Sequence, residues 1–402
     1  MQIKKVKCEK ILDSRGIPTI EIFVTTMNGT FSASSPSGTS TGKYESAAFS
    51  HKGIDASIFL LNSLQDELKK ISFSKFGDLE KIENMIRSYD DTTNYKKLGA
   101  NVLYALEAAI LKATAKGENM ELWEFLAEGK KAKFPFPVGN CIGGGVHSKT
   151  AFKPDFQEFL FIPRSDEFFE NVFINSQAHK LASQKLLLAD KTFSSKLNYE
   201  SAWETSLDNE RVLEIMKEIS KELEKQFEVK LDMGVDIAAS TFSNKNKYRY
   251  KRGEMTNLEQ LDFIKELIAE YNLAYVEDGF NDDAFEDFAR LKKSVNCLVV
   301  GDDLTATHLD RVKQAVSKNA ISGLIVKPNQ NGSLLQMKKI IDLAKSSGIK
   351  TIISHRSGET MDTIIADMAV GWHLDYIKTG IKGKEREAKL KRIIEIEKNV
   401  AG

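Results

Sequence analysis

Residues 323–358, "GLIVKPNQNGSLLQMKKIIDLAKSSGIKTIISHRSG", decide the fold of this protein. A short apolar run at 324–326 is followed by a turn, an amphipathic stretch over 332–348 and a second apolar run at 351–353. Strand, helix and strand joined by short loops predict two parallel strands with a helical crossover. Lys327 ends the first strand. It is either a lysine that reaches out of the core into water or an amine at the floor of a site.

The same alternation extends over the chain from about residue 230. Further apolar runs occur in "KLDMGVDIA", "AYVEDGF", "NCLVVGDDL" and "LDYIKTG", and amphipathic stretches such as "NLEQLDFIKELIAEY" separate them. Repeated strand–helix units of this kind predict a parallel sheet, and their number favours closure into a (β/α)8-type barrel.

The N-terminal part has a different pattern. The stretches "VKCEKIL", "PTIEIFVTT" and "TFSASS" predict a three-stranded meander with a hairpin turn at Asn28 and Gly29, and helical patterns follow. We therefore expect an α/β protein with an N-terminal α+β capping domain over residues 1–130 and a barrel domain over residues 131–402. The stretch "GKKAKFPFP" is the expected linker.

Composition excludes several classes of function. Among 402 residues, Lys+Arg and Asp+Glu both total 57, so no net charge favours binding to nucleic acid or to an anionic membrane. The N-terminal "MQIKKVKCEKILDSRG" has no apolar core of a signal peptide, and no apolar run reaches the length of a membrane span. Cys8, Cys141 and Cys297 are scattered, which argues against disulfides and a thiolate metal site. We expect a cytoplasmic protein.

Charged or polar groups follow the apolar runs of the predicted barrel one after another. They are Asp236, Glu277, Asp302, Lys327, His355, Arg356 and Lys378. In β/α barrels the chemistry is carried at the C-terminal ends of the strands. Any one of these residues could be a solvated loop residue or a helix cap, but the series favours a single site.

Three carboxylates in this series, Asp236, Glu277 and Asp302, would converge at the mouth of the barrel. Like charges so close repel each other unless a cation neutralises them. Oxygen ligands select a hard divalent ion, so we expect these residues to bind Mg²⁺.

Two lysines, Lys327 and Lys378, would face the same mouth. A lysine near other cations and away from water has a lowered pKa and can act as a base. Pro328 restricts Lys327 to an extended backbone, which would hold it at the strand end. Schiff-base chemistry is the rival role, but the metal site favours proton abstraction next to a carboxylate.

Three loops could contact a ligand. "SHRSGET" (354–360) presents an arginine and serines suited to an oxyanion, although it could be a surface turn. "PSGTSTGKYE" (36–45) has neither the spacing nor the Ser/Thr of a P-loop, so we interpret it as a mobile lid, with a flexible linker as the alternative. "GGGVH" (143–147) allows close backbone approach to a ligand, but a histidine after a turn is usually structural.

The motifs together resemble the enolase family. The similarity runs along nearly the whole chain and is most evident in "ILDSRGIPTIE", "PSGTSTGKYE", "VEDGF", "GDDLTAT", "SHRSGET" and "IKTG". The resemblance implies reversible dehydration of 2-phosphoglycerate to phosphoenolpyruvate with two Mg²⁺ per site, the second arriving with substrate. It also implies a homodimer.

The resemblance implies a role for each matching residue. Lys327 would be the base, as in other members of this superfamily, and Lys378 would stabilise the doubly charged carboxylate of the intermediate. The first metal would be held by Asp236, Glu277 and Asp302, and Ser40 would reach the second. The remaining residues implied to bind substrate are His147, Gln157, Glu158, His355, Arg356 and Ser357.

The resemblance is weakest at the general acid. The family has a Gly-Asp-Glu-Gly-Gly-aromatic loop, and the corresponding stretch here is "NYESAWETS" (198–206), which aligns Glu200 with the acid. Glu204 is the alternative if the loop is shifted. Ile17, Gly143, Gly279 and Pro328 also depart from the family pattern.

The chemical groups of the family are nevertheless all present, so we expect an active enolase-type hydro-lyase. Two alternatives remain. One is a lyase or isomerase acting on another phosphorylated 2-hydroxy acid. The other is a non-catalytic binding protein with an enolase-like fold.

Overall fold

A computed structural model describes residues 1–38, 42–244 and 247–401. Its N-terminal part begins with the predicted antiparallel meander, β1 (Lys5–Leu12), β2 (Pro18–Thr26) and β3 (Gly29–Ser34), in the order β1-β2-β3. Alternation along β2 points Ile20, Ile22 and Val24 into the core, where all three are fully buried. Thr26 pairs with Gly29, so a tight hairpin joins β2 to β3.

Helices follow the meander. They are α1 (Ile54–Ser63), α2 (Gln65–Leu68), α3 (Leu79–Tyr89), α4 (Ala100–Gly117) and α5 (Leu122–Ala127). Helix α4, "ANVLYALEAAILKATAKG", is buried on nearly every side, because it lies between the meander and a second layer of structure. The predicted α+β arrangement of three strands and helices is confirmed.

The C-terminal part contains the remaining strands. They are β4 (Phe136–Gly143), β5 (Glu158–Pro163), β6 (Trp203–Glu204), β7 (Leu231–Asp236), β8 (Ser243–Asn244), β9 (Lys247–Tyr250), β10 (Gly253–Thr256), β11 (Tyr275–Glu277), β12 (Leu298–Gly301), β13 (Gly323–Val326), β14 (Lys350–Ser354) and β15 (Tyr376–Lys378). Its helices are α6 (Phe168–Ala189), α7 (Asn209–Phe227), α8 (Asn257–Tyr271), α9 (Phe285–Ser294), α10 (Leu309–Ser317), α11 (Pro328–Asn331), α12 (Leu334–Ser346), α13 (Ile364–Gly371) and α14 (Lys384–Ala401).

Eight of these strands form a closed barrel in the order β4-β5-β7-β11-β12-β13-β14-β15, and β15 pairs with β4 to close it. The barrel predicted from the alternation of strands and helices is confirmed. The strands predicted from residue 230 onward, β7 and β11–β15, pair in parallel as expected. β5 runs antiparallel to both β4 and β7, because β4 and β5 are joined without a crossover helix.

The barrel interior is a small packed core. Its buried members come from alternate strand positions and are Val138, Leu160, Ile162, Tyr275, Val300, Ile325, Ile352 and Tyr376.

No helix within residues 1–38, 42–244 and 247–401 is long and apolar enough to cross a membrane.

Replacing Ile325 by alanine is expected to destabilise the barrel by about 2–5 kcal/mol, because the fully buried side chain would leave a cavity among packed neighbours. The measurement is the urea midpoint followed by tryptophan fluorescence. Leu258→Ala is the matched control, since Leu258 is 65% exposed and its loss is expected to shift the midpoint little. Equal shifts for the two variants would contradict a packed barrel interior.

Candidate active site

Strand register brings three carboxylates together at one end of the barrel. Glu158 pairs with Asp236 across β5 and β7, and Asp236 pairs with Glu277 across β7 and β11. Glu158 begins its strand, yet it reaches the same end because β5 runs in the opposite direction. We expected functional groups only at the C-terminal ends of strands, and this expectation could not identify Glu158.

A cavity opens at this end of the barrel. Of the predicted site residues, its lining includes His147, Gln157, Glu158, Glu200, Asp236, Asp302, Lys327, His355, Arg356, Ser357 and Lys378. Glu277 lies directly behind them and is fully buried. Ser40 lies outside the described residues. Side chains that are far apart in the sequence thus meet in one place.

The ammonium group of Lys378 lies among the buried carboxylates. Its Nζ is 3.0 Å from Asp236 Oδ2, 2.8 Å from Glu277 Oε2 and 3.1 Å from Glu158 Oε2. Burial would lower the pKa of Lys378, but these carboxylates raise it well above its ordinary value. The cluster therefore requires a positive charge, and here a lysine supplies it.

Lys327 forms an ion pair with Asp302. Its backbone is extended, with φ −124° and ψ 110°, as expected before Pro328, which starts α11. We expected other cations to lower the pKa of this lysine. That expectation is wrong for this arrangement: burial does lower the pKa, and so do Arg356 and Lys378, but the Asp302 carboxylate outweighs them and raises it.

The donor set fits a divalent cation. Asp302 Oδ1 is buried and accepts no hydrogen bond from the described residues, so it can serve as a ligand. Burial, and then the neighbouring charge of Asp236, raise the pKa of Glu277 well above its usual range. Clustered carboxylate oxygens of this kind are the ligands that a hard divalent cation prefers.

Glu200 reaches the cavity from the loop between α6 and α7. Its Oε2 is 3.5 Å from His147 Nδ1, 3.9 Å from His355 Nε2 and accepts a hydrogen bond from Asn140 Nδ2 at 3.3 Å. Burial opposes ionisation of Glu200, but His147 and then His355 outweigh it and hold its pKa well below the usual range.

Glu204 points elsewhere. Its Oε1 accepts a hydrogen bond from the backbone N–H of Lys149, and it does not line the cavity within the described part of the chain. Ser201, which aligns with a family glycine, has a left-handed backbone with φ +62°. The loop therefore keeps a glycine-like conformation without the glycine.

Glu158 and Glu200 flank one histidine, and their pKa values are shifted in opposite directions. His147 Nδ1 lies 3.6 Å from Glu158 Oε1. Burial raises the pKa of Glu158 to about 8, although the Lys378 ammonium opposes the shift. Burial also holds the pKa of His355 well below its ordinary value. The pKa values of the two glutamates are therefore shifted in opposite directions, upward for Glu158 and downward for Glu200.

Arg356 lies at the other side of the cavity. Glu45 holds one edge of its guanidinium with two contacts of 3.0 and 3.1 Å, and Asn329 Oδ1 accepts from Nη1 at 3.1 Å. Sequence reasoning did not single out Glu45 or Asn140. Each residue has one feature that could have identified it. Glu45 ends the "PSGTSTGKYE" stretch, and Asn140 is a polar residue within a strand that is buried.

Comparisons with known proteins agree with this geometry. Two family models match the chain, "Enolase, N-terminal domain" over residues 3–126 and "Enolase, C-terminal TIM barrel domain" over residues 131–402. The enolase of Methanosphaera stadtmanae is 38% identical, with 99% of this chain and 97% of the relative covered. The enolases of Methanothermobacter thermautotrophicus and Thermoplasma acidophilum are 37% and 35% identical, with 99% of this chain covered in each case and 97% and 98% of the relatives. The chain belongs to the enolase family.

Proposed function

We propose that this protein catalyses the reversible dehydration of 2-phosphoglycerate to phosphoenolpyruvate, as a hydro-lyase of glycolysis and gluconeogenesis. The observation that carries the proposal is that Lys327 and Glu200 face one cavity from separate loops, with the acidic cluster between them. Family membership favours this reaction over a lyase or isomerase acting on another phosphorylated acid, and over a non-catalytic binding role.

In the proposed reaction the neutral amine of Lys327 removes the C2 proton, the C2–C3 double bond forms, and the C3 hydroxyl leaves as water after protonation. Lys327 is held protonated by Asp302 in the arrangement described above. A divalent ion held by Asp302 would neutralise that carboxylate, and the charges of Arg356 and Lys378 would then favour the neutral amine.

Glu200 delivers the proton to the leaving hydroxyl in this proposal. The raised pKa of Glu158, which shares His147 with Glu200, supports a source for that proton within the cluster. Arg356 and Ser357 bind the phosphate, with Glu45 holding the opposite edge of the guanidinium. His147, Gln157 and His355 line the pocket around the reacting carbons.

We propose that the metal is Mg²⁺, held by Asp236, Glu277 and Asp302, and that Ser40 binds a second ion that arrives with substrate. When bound, Mg²⁺ supplies positive charge that stabilises the second negative charge of the substrate carboxylate. Lys378 contributes to the same stabilisation from within the protein.

Removal of divalent ions with a chelator is expected to abolish turnover, and Mg²⁺ is expected to restore it. Mg²⁺ should also raise the thermal midpoint of the unmodified protein, because a ligand that binds the folded state stabilises it. The increase should disappear in Asp302→Asn and persist in the control Asp342→Asn, whose exposed carboxylate pairs with Lys338. A midpoint that responds equally in both variants would contradict the assigned ligands.

We propose further that the protein is a cytoplasmic homodimer. Cys8, Cys141 and Cys297 are free thiols, which supports a reducing compartment. Leu12 and Met361 are 65% and 55% exposed beside one surface recess, which supports an apolar contact with a second copy. Light scattering should give twice the chain mass, and Leu12→Lys combined with Met361→Lys should reduce it to one chain.

The test of the proposed function is the formation of phosphoenolpyruvate from 2-phosphoglycerate, followed by its ultraviolet absorbance with Mg²⁺ present. Turnover is expected with this substrate and not with the unphosphorylated acid. A folded, Mg²⁺-loaded protein that does not convert 2-phosphoglycerate would overturn the proposal. Preference for another phosphorylated 2-hydroxy acid in a substrate panel would replace it with the alternative lyase.

A further inference from the structure

Arg386 is a buried cation that the proposed mechanism does not use. It belongs to the first turn of α14 and is 1% exposed, and its buried Nε has no hydrogen-bond partner in the described part of the chain. Among residues 1–38, 42–244 and 247–401, no carboxylate oxygen lies within ion-pair distance of its guanidinium. Burying a charge that has no ion-pair partner is costly, so a fold that retains one requires an explanation.

The guanidinium lies between two loops of the candidate site. On one side, Nη2 donates a hydrogen bond of 3.2 Å to the backbone carbonyl of Ser357, in the turn that carries Arg356. On the other side, two glycines are packed against both Arg386 and the loop that carries Glu200. A Cβ built on Gly380 would lie 3.0 Å from Arg386 Cδ and 3.6 Å from the carbonyl oxygen of Glu200.

The second glycine, Gly383, shows the same packing. A Cβ built there would lie 2.9 Å from Ser201 Oγ and 3.7 Å from Arg386 Nη1. The absence of side chains at Gly380 and Gly383 therefore lets the arginine approach the Glu200 loop closely. The positive charge of Arg386 also favours the ionised form of Glu200 and lowers its pKa, after the larger effects of burial and the two histidines.

The Glu200 loop requires external support because its backbone is strained. Ser201 has φ +62°, which is unfavourable for a residue other than glycine. From α6, His179 Nε2 contacts the Ser201 carbonyl oxygen at 2.9 Å, and burial lowers the pKa of His179 to about 4, so the neutral ring donates this bond. From the other side, Gly380 and Gly383 pack against this loop and against Arg386 at the start of α14.

We propose that Arg386 is a positioning residue that couples the loop carrying Glu200 to the turn carrying Arg356 and Ser357. It keeps the acid in place relative to the bound phosphate without touching substrate. The inference rests on the proposed function, because it assigns Glu200 the role of acid. It predicts that loss of Arg386 impairs the dehydration step more than removal of the C2 proton.

The test compares Arg386→Met and Arg386→Lys with the control Arg392→Met. Arg392 lies on the same helix and pairs with Asp367 and Glu121, so its loss destabilises α14 without touching either loop. Two rates are measured for each protein: exchange of the C2 hydrogen of 2-phosphoglycerate with deuterated water, and formation of phosphoenolpyruvate.

Arg386→Met is expected to slow phosphoenolpyruvate formation about 100-fold, because misplacing a reacting group by about 1 Å costs that much, while C2 exchange falls less than threefold. Arg386→Lys should recover part of the loss. Arg392→Met should leave both rates unchanged. Equal losses in exchange and dehydration, or equal behaviour of the Met variants at 386 and 392, would overturn the proposal.

A second measurement does not depend on turnover. Hydrogen–deuterium exchange of the backbone amides of Glu200 and Ala202, both of which donate to Asn198 Oδ1, reports how firmly the loop is held. Faster exchange in Arg386→Met, but not in Arg392→Met, is expected. Unchanged protection of these amides would overturn the coupling. Failure of the unmodified protein to convert 2-phosphoglycerate would instead overturn the proposed function.

Discussion

Replacing Lys327 by alanine is expected to lower the rate of phosphoenolpyruvate formation by at least about 10³-fold, because general-base catalysis by a positioned side chain contributes about 10²–10⁴-fold. Exchange of the C2 hydrogen with deuterated water should fall by a similar factor, since the amine that removes the proton is gone. Both rates are measured on Mg²⁺-loaded protein at saturating 2-phosphoglycerate.

The control for Lys327→Ala is Lys293→Ala, because Lys293 is exposed on α9 and its loss should leave both rates unchanged. Circular dichroism of both variants checks that the fold is kept. Retention of C2 exchange in Lys327→Ala would refute the assignment of the base. A borohydride-trapped adduct with a carbonyl substrate would instead favour the rival Schiff-base role for this lysine.

Glu200→Gln is expected to lower dehydration about 10³-fold while C2 exchange continues. Glutamine keeps the shape of the side chain and its contact with Asn140 but cannot supply the proton to the leaving hydroxyl. Proton abstraction by Lys327 precedes this step, so it should persist. The two rates are measured as for Lys327.

Glu204→Gln is the matched control, four residues along the same loop. Its side chain accepts a hydrogen bond from the Lys149 backbone outside the cavity, so the substitution should change neither rate by more than about threefold. If Glu204→Gln abolished dehydration and Glu200→Gln did not, the alternative alignment of the loop would be correct.

The amphipathic units from residue 230 onward were sufficient to predict the barrel and the common location of most of its site residues. Parallel strands with helical crossovers bring their C-terminal ends to one mouth, so Asp236, Asp302, Lys327 and Lys378 were expected to meet. This argument did not predict the position of β5, because the local connection from β4 reverses the direction of that strand. Glu158 was found only through the resemblance to enolases.

The direction of each pKa shift in the site could not be predicted from residue types alone. Lys327 was expected to have a lowered pKa, but its partner Asp302 raises it, and the two lie 25 residues apart in the sequence. Glu158 and Glu200 are both glutamates, yet the pKa of the first is raised and that of the second is lowered. The difference arises from which charges lie within a few ångströms of each group.

The sequence by itself determined the barrel, the meander and the set of chemical groups at the mouth, because periodicity and strand order are local properties that the chain carries residue by residue. Only the tertiary structure decided that Glu200 rather than Glu204 faces the cavity, and that Arg386 lies behind it. These outcomes depend on loops without periodicity and on contacts between distant segments. Their energies are set by distance and burial, which exist only once the chain has folded.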